Sequence, residues 1–232
     1  MPRSIIERPL IMDINPRSPI SEAYRTLRTN IEFSSVDQEI KAIMITSSQP
    51  EEGKTTTAVN LAAAFAQVEK KVVLVDADLR KPTIHRIFNK DNRYGLTNLL
   101  ANRTVLSEVV ADTHIENLSV LTSGPIPPNP AEMLASNRMA QLIVDLKEKF
   151  DIVIIDTPPS LVVADALIVA AKCDGVLMVV KTGKVKRQAA MKVKTGLDHV
   201  KARLLGVVLN NVKRRKTDAQ YYYYESKQQE SN

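Results

Sequence analysis

The chain has 232 residues, 44% hydrophobic and 25% charged, the ordinary make-up of a soluble globular protein with a substantial core in one large domain or two small ones. A lone cysteine, Cys173, excludes an internal disulfide framework, fits a reducing cytoplasm, and reads as a small buried hydrophobe. The net charge of +6 is uneven: residues 181–216 hold twelve Lys/Arg against one acid, Asp198, a stretch suited to a solvated helix face or to an anionic partner such as nucleic acid, lipid or an acidic protein.

In chain order, residues 1–17 read as an irregular lead-in with no apolar segment fit for a signal peptide, and a helix follows at about 19–33. Apolar runs then alternate with longer amphipathic segments. Strands are expected at 40–46, 71–78, 118–123, 150–159, 175–181 and 203–211, and helices at 54–68, 130–148, 162–171 and 185–202. The run at 161–171 carries Asp165 and is too short to span a bilayer. Near-continuous Val, Ile and Leu suggests strands buried on both faces of a mainly parallel sheet, and strand–helix alternation argues for a three-layer α/β fold. One domain is expected over 18–212. From 213 to 232 hydrophobicity falls abruptly and the chain reads as a flexible tail.

The strand at 40–46 runs into "SSQPEEGKTTTAVNLAAAFA". A Gly-Lys-Thr that follows a buried strand and opens a strong helix is the context of a phosphate-binding loop, in which backbone N–H groups surround the anion. The loop and helix start comprise Ser48, Gln49, Pro50, Glu51, Glu52, Gly53, Lys54, Thr55 and Thr56. Lys54 is placed to reach the β and γ oxygens, and the Thr55 hydroxyl to hold Mg²⁺. Ser48 stands where the pattern G-x-x-x-x-G-K-[ST] has its first glycine. Glu51 and Glu52 sit awkwardly beside an anion and are expected to point outward.

Two later strands end in acids: "VVLVDADLR" in Asp76 and Asp78, and "IVIIDTPP" in Asp156. Residues i and i+2 of an extended chain share a side, and ligands of open α/β sheets bind at the carboxyl ends of strands. Three carboxylates beside a phosphate loop can hold Mg²⁺ and take a proton from a nucleophile; strand-end aspartates also cap turns. Pro158 and Pro159 fix the turn after Asp156.

The tail holds four consecutive tyrosines, Tyr221, Tyr222, Tyr223 and Tyr224, in a chain with six tyrosines and no tryptophan. They lack apolar neighbours to pack against.

Taken in this order and spacing, "SSQPEEGKTT", "VVLVDADLR", "IVIIDTPP", the early "SEAYRTLRTNIEF" and the tyrosine cluster resemble the bacterial tyrosine kinases, and within them the separate cytoplasmic kinase subunit of Gram-positive capsule or exopolysaccharide systems. The likeness covers about residues 20–224. It implies a P-loop NTPase fold with a deviant, partitioning-ATPase-like Walker A at 46–56, a Walker A′ at 73–80 and a Walker B at 153–159. It implies ATP and Mg²⁺ as cofactors, with Lys54 on the phosphates, Thr55, Asp78 and Asp156 near the metal, and Asp76 as base or orienter. Arg80 belongs to the A′ pattern, and Asn210 matches the adenine contact of related ATPases. Glu22, Arg25 and Arg28 match an E-x-x-R-x-x-R segment through which members form octameric rings; read as a helix, they share one polar face. Where members often carry Pro-Gly, this chain has Pro50-Glu51.

The implied activity is transfer of the ATP γ-phosphoryl group to tyrosine, with the tail of one subunit reaching a neighbour's site in trans. Implied partners are a membrane-anchored activator that recruits the chain to the inner face of the membrane, polysaccharide-synthesis enzymes as substrates, and a cognate phosphatase; no nucleic-acid partner is expected. A partitioning-type ATPase that uses the basic stretch for DNA or membrane is the alternative. Those relatives carry a lysine early in the loop where this chain has Gln49, and the tyrosines have no task in such a machine. A non-catalytic nucleotide-binding scaffold fits poorly with intact Lys54, Thr55, Asp76, Asp78 and Asp156.

Overall fold

The computed structural model describes residues 10–34 and 39–212. In chain order the elements are α1 (Ile11–Ile14), α2 (Pro19–Phe33), β1 (Ala42–Ser47), α3 (Lys54–Ala66), β2 (Val72–Asp76), α4 (Ile84–Ile87), α5 (Leu96–Leu100), α6 (Leu106–Val109), β3 (Val110–Asp112), β4 (Leu118–Leu121), α7 (Pro130–Ala135), α8 (Asn137–Lys149), β5 (Ile152–Asp156), α9 (Asp165–Ala170), β6 (Gly175–Lys181), α10 (Arg187–His199) and β7 (Leu204–Asn210). The strands form one sheet in the order β3-β4-β2-β5-β1-β6-β7, parallel except for β3, which pairs antiparallel to β4. Among the described residues no helix is long and apolar enough to cross a membrane.

Every residue of β1, β2 and β5 is buried, because helices cover both faces of the sheet. Alternation along β1 divides the core in two. Met44 packs with α7, α8 and α9 on one face, while Ile43 and Ile45 pack with α1, α2 and α3 on the other. The edge strand β7 differs: Val207 and Leu209 are exposed, while Leu205 and Val208 are only partly buried against the core.

Three sequence expectations change. The lead-in is not wholly irregular, since α1 folds onto α3, with Met12 fully buried and its N–H donated to Asn60 Oδ1 at 3.0 Å. The helix expected at 130–148 is two, because Ser136 leaves the helical path and caps α8, its hydroxyl accepting from Met139 N. The three-residue edge strand β3 was not foreseen. Cys173 fits its expected part: it packs partly buried against the core, its thiol donates to Val169 O at 3.3 Å, and burial pushes that thiol up to about 12.

Asp174 fastens the amino edge of the sheet. Its carboxylate accepts from Lys41 N (3.0 Å), Ala42 N (2.8 Å) and the Lys147 ammonium (2.6 Å). Burial works to raise its pKa, but the Ala42 and Lys41 N–H groups and Lys147 outweigh that and hold it below the ordinary value. A carboxyl depressed on folding stabilises above its unfolded pKa and loses that contribution as pH falls through its folded pKa. Asp174→Asn is therefore expected to cost about 1 kcal/mol at pH 7, the rim position screening the pair. Urea midpoints of parent and variant should converge as pH falls below about 4.

Candidate active site

The phosphate loop leaves the carboxyl end of β1 beside the crevice where the sheet order reverses. Gly53 caps α3 with φ +97°, and a Cβ there would run into the Asn210 side-chain amide, so glycine is required twice over. The first N–H groups of α3 have no partners within the helix and carry the positive end of its dipole, which makes Gly53–Thr56 an anion cradle. Ser160 holds the loop's root, its N–H and hydroxyl both donating to Ser47 O (2.9 and 3.1 Å).

Lys54 turns its ammonium inward. It lies 3.0 Å from Asp78 Oδ2, 3.6 Å from Asp156 Oδ2 and 3.1 Å from Thr55 Oγ1, and Thr55 Oγ1 donates to Asp156 Oδ2 at 2.7 Å. Burial pulls the Lys54 pKa down, but Asp156, Asp78 and Asp76 overcome it and hold the ammonium above its ordinary value. Asp156 is fully buried and raised, first by burial, with Lys54 and Thr55 working against the shift.

Asp76 and Asp156 are register partners on β2 and β5, which sets two buried carboxylates one strand spacing apart. Burial, then Asp156, pushes Asp76 up to about 7 against the N–H groups of Ile84 and Thr83 and the charge of Lys54. Asp76 does not open into the Lys54 group as a third metal carboxylate. Its Oδ2 accepts from Thr83 N and Ile84 N (both 3.0 Å) and its Oδ1 from Asp78 N (3.3 Å), so it caps the start of α4.

Among the described residues no three acids, histidines or cysteines come together to hold a metal by themselves. A Mg²⁺ site of one or two carboxylates completed by phosphate and water is the usual alternative. Thr55, Asp78 and Asp156 supply hard oxygens for it, and Asp156 Oδ1 is buried with no hydrogen-bond partner among the described residues. The residues therefore fit Mg²⁺.

Other expected site residues fall as follows. Gln49, Pro50 and Glu51 are exposed, and Glu51 meets Lys184 at 3.5 Å. Glu52, expected outward, is buried and turned into the loop, where the Ser48 hydroxyl and Gln49 N–H donate to it. Asn210 reaches the loop through Nδ2, which donates to Glu52 O at 2.9 Å. Arg80 is held by Asp165, which accepts from Nε at 2.8 Å and Nη2 at 3.0 Å. Sequence reasoning missed Asp165 as a partner, although an acid alone in the apolar run 161–171 was its signal.

The α2 face lies apart from this group. Glu22 accepts from Arg25 at 3.0 Å, Arg25 also reaches Pro16 O, and Arg28 turns in to donate to Ala64 O at 3.0 Å, roughly 15 Å along α3 from Lys54. Tyr221, Tyr222, Tyr223 and Tyr224, the expected flexible tail, and most of the expected lead-in lie outside the described residues.

A family model described as an AAA domain matches residues 40–205. The chain is 48% identical to the tyrosine-protein kinase YwqD of Bacillus subtilis over 97% of its own length and 94% of that protein's. Among solved structures, the chimerical protein CapA2B2 superposes with a TM-score of 0.85 at 44% identity, covering 88% of this chain and 90% of that one. The kinase domain of the Escherichia coli tyrosine kinase ETK superposes with a TM-score of 0.84 at 33% identity, covering 89% and 83%.

The Arg80–Asp165 pair joins the segment after β2 to the start of α9, and Asp165 is wholly buried while Arg80 is 40% exposed. Arg80→Ala strands a buried carboxylate and is expected to cost about 2 kcal/mol, less than a fully buried pair because Arg80 is open on one side. Asp165→Ala added to it should cost much less than the sum of the two single changes in denaturant titration.

Proposed function

We propose, because the chain belongs to the bacterial tyrosine-protein kinase family, that it transfers the γ-phosphoryl group of ATP to tyrosine hydroxyls, those of its own tail included. The observation that carries this reading is the buried meeting of Lys54, Thr55, Asp78 and Asp156 at the mouth of an anion cradle. A new bond forms between a tyrosine oxygen and the γ-phosphorus as the bond to the β-phosphate oxygen breaks, so that ADP departs with that electron pair and the phenolic proton passes to water.

Lys54 and the N–H groups opening α3 bind the phosphates and meet the charge that spreads over them. Thr55, Asp78 and Asp156 would hold Mg²⁺, which, when bound, neutralises phosphate charge. Asn210 and the loop residues 48–56 frame the nucleotide. A phenol with a pKa of roughly 10 needs help to react at pH 7. Both Asp76 oxygens already accept backbone N–H bonds, which favours the orienting role for Asp76, with the Walker A′ turn placed by it. Arg80 acts on that turn through Asp165.

The tail at Tyr221, Tyr222, Tyr223 and Tyr224 is the acceptor, presented to a neighbouring subunit. Glu22, Arg25 and Arg28 contribute to an octameric ring. Glu22 is the most exposed of the three and Arg28 the least. A membrane-anchored activator brings the chain to the inner face of the membrane; capsule or exopolysaccharide enzymes are further substrates, and a phosphatase resets the tail. Gln49 in place of an early loop lysine counts against the partitioning-type alternative.

Incubation of the full chain with Mg·ATP and the activator's cytoplasmic segment, followed by mass spectrometry of the C-terminus, is expected to find phosphate on the tyrosine cluster. Lys54→Met should lower incorporation by about a hundredfold or more. ATP hydrolysis with unmodified tyrosines would favour the partitioning ATPase instead. Each phosphate adds about −1.5 to −2 charges to the tail, so repulsion should loosen the ring. Light scattering should show smaller particles after phosphorylation, and an intact fully phosphorylated ring would sink that part of the reading.

A further inference from the structure

The loop Ser48–Gly53 takes a shape that its residues do not favour. Glu51 has φ +63°, the left-handed region, without being glycine, and it is followed two residues later by Gly53 at +97°. An L residue there costs about 1–2 kcal/mol, and such strain persists where surrounding contacts over-determine it.

The contacts that do so converge on Glu52. Its side chain folds back across the loop, so that Oε1 accepts both the Ser48 hydroxyl at 2.5 Å and the Gln49 N–H at 2.6 Å. Its carbonyl accepts from Asn210 Nδ2 at 2.9 Å, which ties the other end of the loop to β7. The residue is 1% exposed, and Oε2 has no hydrogen-bond partner among the described residues. A carboxylate buried beside an anion cradle repels the ligand and costs desolvation, so its presence calls for a compensating gain.

We propose that Glu52 is a positioning residue of the phosphate loop. Its Oε1 closes residues 48–52 into the nucleotide-ready shape before nucleotide arrives, and its carbonyl registers that shape against Asn210. Side-chain bonding thereby selects the one conformation that glycine at position 48 would merely permit. Ser48 is then the matching half of the clamp rather than a flaw in the motif. The inference rests on the nucleotide-binding reading of the loop.

The test compares the parent with Ser48→Ala, Glu52→Ala, Glu52→Gln and the double Ser48→Ala/Glu52→Ala change, all in the full chain. Three quantities are read: amide exchange of residues 47–56 without nucleotide, Kd for fluorescent ADP with Mg²⁺, and KM and kcat for ATP. Glu52→Ala should speed loop exchange and weaken ADP binding and KM by about tenfold or more, with kcat at saturating ATP changed far less. Glu52→Gln keeps the Oε1 acceptor and should stay within about threefold of the parent. Ser48→Ala should do less harm than Glu52→Ala and add little to it, since both break one clamp.

Unchanged loop exchange and ADP affinity in Glu52→Ala would overturn the proposal. So would a general loss of melting temperature with no local change in exchange, or a Glu52→Gln as weak as Glu52→Ala, which would make charge rather than the acceptor decisive. Failure of the parent to bind Mg·ADP would instead defeat the nucleotide reading, while loop exchange without nucleotide still judges the clamp.

Discussion

An ammonium group sits among carboxylates in the interior of this protein, and most of the architecture answers to that placement. Lys54 contacts Asp78 and Asp156, with Asp76 one strand away. Buried charges of this kind are tolerated only when paired and hydrogen-bonded, and removing one partner of a buried pair costs about 3–5 kcal/mol. Burial and a neighbouring acid push Asp76 and Asp156 upward against the pull of the one nearby ammonium. A site left short of positive charge is suited to a metal ion that arrives with its ligand.

Holding such a group demands rigid surroundings. The sheet supplies them, because β1, β2 and β5 are adjacent, wholly buried and in register, so that their carboxyl ends deliver the loop, Asp76 and Asp156 to one crevice. Backbone groups do the remaining work. Asp76 caps α4, Asp78 accepts from Lys81 N, Ser160 ties the turn after β5 to β1, and Asp165 holds Arg80. Loops after three different strands are thereby braced to one another within reach of the lysine.

Much of this was legible. The strands in residues 72–76, 152–156 and 175–181 announce themselves through near-unbroken Val, Ile and Leu, and the α3 start through Gly-Lys-Thr after a buried strand. What escaped did so for identifiable reasons. Three residues of β3 are too few to show a period, and their pairing with β4 is a long-range matter. Ser136 looks like any helix serine until its extended ψ shows that it caps a second helix. Glu52 was expected to avoid an anion on grounds of charge, and that reasoning could not see a hydroxyl and an N–H waiting inside the loop.

Local chemistry was thus determined by the sequence itself: buried strands, a helix opening at Lys54 and acids at strand ends are consequences of residue type and spacing over a few positions. The tertiary structure decided which of those acids share a charge. Asp76 spends its oxygens on α4, Asp156 meets Lys54, and Arg80 finds Asp165 eighty-five residues away. Periodicity carries information along one element at a time, whereas electrostatic partnership depends on distance in space and on the absence of water. Both exist only once the sheet has brought its strand ends together.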